Sequence, residues 1–151
     1  MDQPSHDDHR RLPIGDDIYE EMIDELLVDG SDDWLMLTNV ASRVQQNARR
    51  HDIELATSDR ITVGIEVLQR VIQSGLMRPG DIAPETHAFV PWDLSDSEAI
   101  ERIDEGWRLA GDHLQMGDVC WLDNTAEGLR HAERVHAAVC ARLGWPPSNR
   151  Q

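Results

Sequence analysis

Apolar residues in this chain recur mostly every three or four positions, the spacing of a helix face, and only rarely alternate as in a half-buried strand. From Asp16 onward, Ile18, Met22 and Leu26 form one i, i+4 row and Tyr19, Ile23 and Leu27 a second, merging into one stripe. Asp16, Asp17, Glu20, Glu21, Asp24 and Glu25 are left for the opposite face, and Gly30 is placed to stop the helix. Acids in its first turn also suit the positive end of the helix dipole. Residues 34–37 read as a short strand or as the lead-in to a second helix. Thr38 or Asn39 would cap that helix, which runs to Arg50 with Val40, Ala41 and Val44 inward.

A third helix is predicted over 60–74, with Ser58 or Asp59 as its cap, Ile61, Ile65, Leu68 and Ile72 as its apolar row and Gly75 as its end. Pro79-Gly80 reads as a turn, and 81–94 as an irregular stretch with a short strand at 88–90 that Pro91 weakens. Ser95 or Ser97 opens a fourth helix through Ala110, with Ile100, Ile103 and Trp107 on its inner side. The run at 119–122 reads as a strand, 123–125 as a turn, and the following residues as a last helix with Leu129, Ala132, Val135, Val139 and Leu143 apolar. Asn124 with Glu127 three residues later fits a capping box at its start.

These elements place the chain in the α+β class, as one domain over 15–143, with a polar, mobile tail at 1–14 and a second tail at 144–151. At 151 residues and 40% apolar content, one real core is expected. No run approaches the roughly 18 apolar residues of a membrane helix, and the N-terminus does not read as a secretory signal, so a cytoplasmic protein is expected. Cys120 and Cys140 lie in apolar surroundings and read as buried free thiols.

Charge sharpens the picture. There are 29 acids against 14 bases, a formal net charge of −15, and every base is Arg. Residues 1–33 hold 12 of the acids and only Arg10 and Arg11 as bases, so −10 of the −15 lies there. Such a field repels phosphate backbones and attracts basic partners. The expected function is therefore a non-catalytic acidic module that binds a basic protein. Its candidate contacts are Asp16, Asp17, Glu20, Glu21, Asp24, Glu25, Asp32, Asp33 and Trp92, which lies beside a proline and is a candidate for partial exposure. The plainer reading of the same acids is solubility.

The segments VLQRVIQSGLMRPGDI and VCWLDNTAEGLRHAE carry a family resemblance. The first is similar to the third helix of a winged helix-turn-helix domain entering its first wing strand, and the second to the second wing strand and closing helix. The pattern spans roughly residues 16–140 and also resembles small uncharacterised acidic proteins of GC-rich bacteria. It departs from the family at Asn124, where an apolar residue is usual, and at 78–118, which replace the wing and hold an extra helix. The resemblance implies the alternative function, a DNA-binding transcriptional regulator. In that reading the helix over 60–74 enters the major groove, and Arg43, Arg49, Arg50, Arg60 and Arg70 supply phosphate or base contacts. Glu66 among the few polar groups of that helix, and the acidity of the rest of the chain, weigh against it. An immunity or antitoxin-like protein, covering the nucleic-acid site of a basic nuclease-type toxin, is the concrete form of the favoured reading.

Chemistry-bearing motifs are absent. His131 and His136 are five residues apart and therefore do not share a helix face as zinc-protease histidines do. There is no phosphate-binding Gly-rich loop, no nucleophile elbow, no EF-hand spacing and no Cys/His pair placed by the sequence as nucleophile and base. No metal, cofactor or membrane is expected.

Overall fold

A computed structural model describes residues 12–146. Its elements are helix α1 (Asp16–Asp29), strand β1 (Leu35–Met36), helices α2 (Leu37–Arg50) and α3 (Thr57–Gln73), strands β2 (Met77–Ile82) and β3 (Phe89–Pro91), helix α4 (Asp96–Ala110), strand β4 (Trp121–Asn124) and helix α5 (Ala126–Leu143). A short 3-10 turn, Gly111–His113, follows α4. The four-stranded sheet has the order β1-β4-β2-β3 with every pair antiparallel. The fold is α+β, and no helix among the described residues is long and apolar enough to cross a membrane.

The helices bury the stripes their sequences carry. Met22, Leu26 and Leu27 of α1, Val40 and Val44 of α2, Val67, Leu68 and Val71 of α3, and Ile103 and Trp107 of α4 meet Leu122 of β4 in one core. Helix α1 packs on α5 and α2, and α3 lies between α2 and α4. Leu129 departs from expectation: it begins the apolar row read for α5 but stands 42% exposed.

Several boundaries differ from the expected ones for identifiable reasons. Helix α2 starts at Leu37, and Asn39 sits inside its first turn, where its Oδ1 accepts from the Met36 amide at 2.7 Å. Helix α3 begins at Thr57 after Ala56, so neither Ser58 nor Asp59 caps it. The expected 119–122 strand cannot start at Val119, whose φ of 72° centres a tight turn closed by Cys120 N–H donating to the Asp118 carbonyl at 2.8 Å. β4 instead runs to Asn124, and Thr125, not Asn124, caps α5 by accepting from the Gly128 amide at 3.1 Å.

Pro79-Gly80 is no turn; both residues lie inside β2. Gly80 pairs with Trp121 on one side and Pro91 on the other, and a Cβ there would stand 2.3 Å from the Val90 carbonyl oxygen. The Pro79 carbonyl accepts from Trp92 N–H at 3.0 Å. Nitrogen and carbonyl of one strand residue point the same way, so the missing amide of Pro79 falls beyond the end of β3 and costs no ladder bond.

The tails are shorter than expected. Leu12 and Ile14 pack against the core. Gly144 closes α5 in a left-handed conformation, and Trp145 N–H returns to the Cys140 carbonyl at 2.8 Å. The rest of the expected tails, 1–11 and 147–151, lies outside the described residues.

Candidate functional site

The acidic face of α1 divides into an inner and an outer part. Glu25, expected on the surface, is 0% exposed. Its Oε1 accepts from Asn47 Nδ2 at 2.9 Å, and its Oε2 accepts from Arg50 at 3.1 Å and from Arg142 at 3.0 Å. Asp29 takes the Arg43 guanidinium on two oxygens, at 2.7 and 2.9 Å, and Arg43 lies 3.6 Å from Glu25. Burial alone would ease the proton off Arg43; the hydrogen bond and charge of Asp29, joined by Glu25, more than offset this and raise its pKa. Glu21 meets His51 at 2.9 Å, and Asp24 meets His131 at 2.8 Å. The side of α1 carrying Glu21, Asp24, Glu25 and Asp29 is therefore a polar seam against α2 and α5. Every buried charge in it has a counter-charge within reach, as a low-dielectric site requires. The outer part, still solvent-exposed, is Asp16, Asp17 and Glu20, with Asp32 and Asp33 in the loop that follows α1.

The arginines read as DNA contacts are largely drawn into this same scaffold. Arg43 and Arg50 belong to the seam. Arg60 donates to the Leu55 carbonyl at 3.0 Å and to Thr57 Oγ1 at 3.1 Å, and lies 3.5 Å from Asp112. Arg70 bonds Glu66 at 2.8 Å and Asp16 at 3.1 Å while its guanidinium lies 4.2 Å from the centre of the Tyr19 ring. Of the five, Arg49 is exposed with no ionic partner among the described residues.

Helix α3 is covered by α4 along its Gly64 side, while Thr62, Glu66, Gln69 and Gln73 line a side that reaches solvent. Trp107 of α4 lies so close over Gly64 that a Cβ at residue 64 would stand 2.3 Å from the indole Cη2. The absence of a side chain at Gly64 is what lets the two helices approach. The solvent side of α4 then carries Asp96, Glu98, Glu101 and Glu105, all exposed. Trp92 is engaged within the chain: its Nε1 donates to Asp81 Oδ2 at 3.0 Å, and the Arg102 guanidinium of α4 lies 4.0 Å from the ring centre. It pins α4 to β2 and is partly exposed, as its place beside Pro91 predicts.

A recess of about 320 Å³ opens where the 30–34 loop meets the end of β4 and the start of α5; it is lined by Gly30, Ser31, Asp32, Asp33, Trp34, Asp123, Asn124 and Leu129. Asn124 is 6% exposed. Its Nδ2 donates to the Leu27 carbonyl at 2.9 Å, while its Oδ1 is buried without a hydrogen-bond partner. Leaving such an acceptor unpaired costs about 1–3 kcal/mol, so its presence asks for a cause. Sequence spacing could not join Asp33 to Asp123; only the β1–β4 pairing, Leu35 with Leu122, does so.

Cys140 and His136, one helical turn apart on α5, come together with Sγ 3.8 Å from Nδ1 and 3.6 Å from Nε2. The sulfur is nearly equidistant from both nitrogens and so lines up with neither lone pair. Cys120 is 1% exposed, and burial, reinforced by the Asp81 charge and eased by Arg102, pushes its thiol up to about 12. Both cysteines are free, and no group of three or more His, Cys, Asp or Glu side chains among the described residues is gathered as a metal site. No protein-family model, no curated protein and no solved structure matches the chain.

Proposed function

We propose that this protein is a non-catalytic acidic module that binds a basic protein partner, in its most concrete form an immunity or antitoxin-like protein that covers the nucleic-acid site of a nuclease-type toxin. The observation that carries this reading is the placement of α4. It packs on α3 along Gly64 and offers Asp96, Glu98, Glu101 and Glu105 to solvent beside the helix that would have to read a groove, where phosphate contacts would need basic groups. The strand order β1-β4-β2, with α3 preceding β2, supports a winged-helix-like core in which β3 and α4 fill the place of the wing. A carboxylate surface of this kind speeds encounter and selects partners by sign of charge. The DNA-binding alternative keeps little support, because Arg43, Arg50, Arg60 and Arg70 already satisfy carboxylates of the same chain.

The test is retention of basic nucleases on the immobilised protein at about 0.05 M and about 0.5 M salt, where screening lengths differ severalfold. Binding at low salt, with slower association after combined Glu98→Gln, Glu101→Gln and Glu105→Gln substitution, is expected. Retention of no basic protein at low salt, or salt-sensitive binding of duplex DNA instead, overturns the reading.

A further inference from the structure

We propose that the recess between the 30–34 loop and β4 receives an arginine side chain of the basic partner. This rests on the acidic-module reading and gives it a specific point of contact. Carboxylates alone would mark only a solvated surface. Here a second, independent feature accompanies them: Asn124 Oδ1, buried and unpartnered, lies 2.9 Å from where a Cβ of residue 30 would stand. Glycine at position 30 lets this buried acceptor sit directly against the loop backbone, in the wall of the recess that both residues line. A group entering the recess finds Asp33 and Asp123 as anionic acceptors, the Trp34 indole as a flat wall and the exposed Leu129 as an apolar rim.

That combination suits a guanidinium better than an ammonium. A guanidinium is planar, carries donors in a fork, stacks on aromatic faces and arrives on a stem of methylenes that wants apolar cover. The chain already uses the same chemistry internally. Arg102 lies on the Trp92 ring while Asp81 holds the indole N–H, and Arg78 lies 5.4 Å from the centre of the Phe89 ring while bonding Asp123 at 3.1 Å. Trp34 packs beside that same Phe89, ring centres 6.2 Å apart, so the recess borders an existing arginine–aromatic stack. An incoming guanidinium would share Asp123 with Arg78. The net charge of −15 supplies the long-range attraction that brings it there.

The probes are two synthetic peptides of alternating glycine with arginine or with lysine, titrated into isotopically labelled full-length protein at low salt. The expected result is movement of the Trp34 indole, Asn124 side-chain amide and Leu129 methyl signals, with the arginine peptide bound about tenfold more tightly. Paired Asp32→Asn and Asp33→Asn substitution, and separately the surface change Leu129→Ser, should each weaken binding severalfold with the thermal midpoint held. Equal binding of both peptides with signals moving along α1 and α4 instead would sink the recess while leaving the acidic module standing. Binding of neither peptide would remove both. Calcium moving the same signals at lower concentration than the arginine peptide would make the recess a cation site and overturn the proposal.

Discussion

The carboxylate of Glu25 and the guanidinium of Arg142 meet 3.0 Å apart across 117 positions of sequence, joining the first described helix to the last. Arg50 shares the same Oε2 at 3.1 Å, and Asn47 holds the other oxygen. Removing the carboxylate leaves cations gathered around an empty centre. Glu25→Ala is expected to destabilise the fold by about 3–5 kcal/mol, and Glu25→Gln by less because the amide keeps an acceptor for Asn47. Urea unfolding checks this through a fall in midpoint with an unchanged slope. Neutralising the exposed pair Asp16 and Asp17 should change the unfolding free energy by less than about 0.5 kcal/mol.

The helix rows were legible in the sequence because the 3.6 periodicity of α1, α3 and α4 records burial directly. What periodicity does not record is which polar residues face inward together. Glu21, Asp24 and Glu25 occupy the side of α1 opposite its apolar stripe, which looks like solvent until Arg43, Arg50 and Arg142 arrive from α2 and α5. Strand β2 was hidden for another reason. Pro79 and Gly80 carry the local signature of a turn, and only the neighbours β3 and β4 make a glycine necessary and a proline harmless there. The recess was invisible for the same reason, since Asp33 and Asp123 become neighbours only through the β1–β4 register.

Gly64 and Trp107 form a matched pair whose energetics should reverse sign with background. Gly64→Ala gains about 1 kcal/mol of helix propensity but drives a methyl group into the indole, where overpacking costs about 1–3 kcal/mol; a net loss is expected. Trp107→Ala empties the site and costs about 3–5 kcal/mol. Placed in the Trp107→Ala protein, Gly64→Ala should instead stabilise. A double-mutant cycle by chemical unfolding reads the reversal, and additive losses would mean that the indole does not rest on Gly64.

Thr125 ties two helices at once. Its hydroxyl accepts from the Gly128 amide at the start of α5 and donates to the Gly75 carbonyl, 2.6 Å away, just past the end of α3. Thr125→Ala should cost about 1–2 kcal/mol, whereas Thr125→Ser should retain most of the stability. Amide exchange separates this cap from the capping box read at Asn124. Protection of the Gly128 amide should fall in Thr125→Ala and hold in Asn124→Ala, whose loss is instead the bond to the Leu27 carbonyl.

Cys120 gives the fold an alkaline limit. Its thiol titrates at about 12 in the folded chain against 9.0 when unperturbed, because burial disfavours the thiolate. The folded-state value is raised, so the stabilising contribution is complete below pH 9 and is lost as pH climbs from there towards 12. Up to about 4 kcal/mol goes over that span, at about 1.4 kcal/mol for each pH unit. Tyr19, raised chiefly by burial and then by Glu66, acts in the same direction. Stability measured from pH 8 to 11 should therefore decline, and the decline should be shallower in Cys120→Ala. At neutral pH the same burial should keep Cys120 and Cys140 slow to react with a thiol reagent until the chain is unfolded, whereupon both should label. Rapid labelling of Cys120 in the native protein would show that the β4 side of the core opens far more readily than the 1% exposure of Cys120 implies.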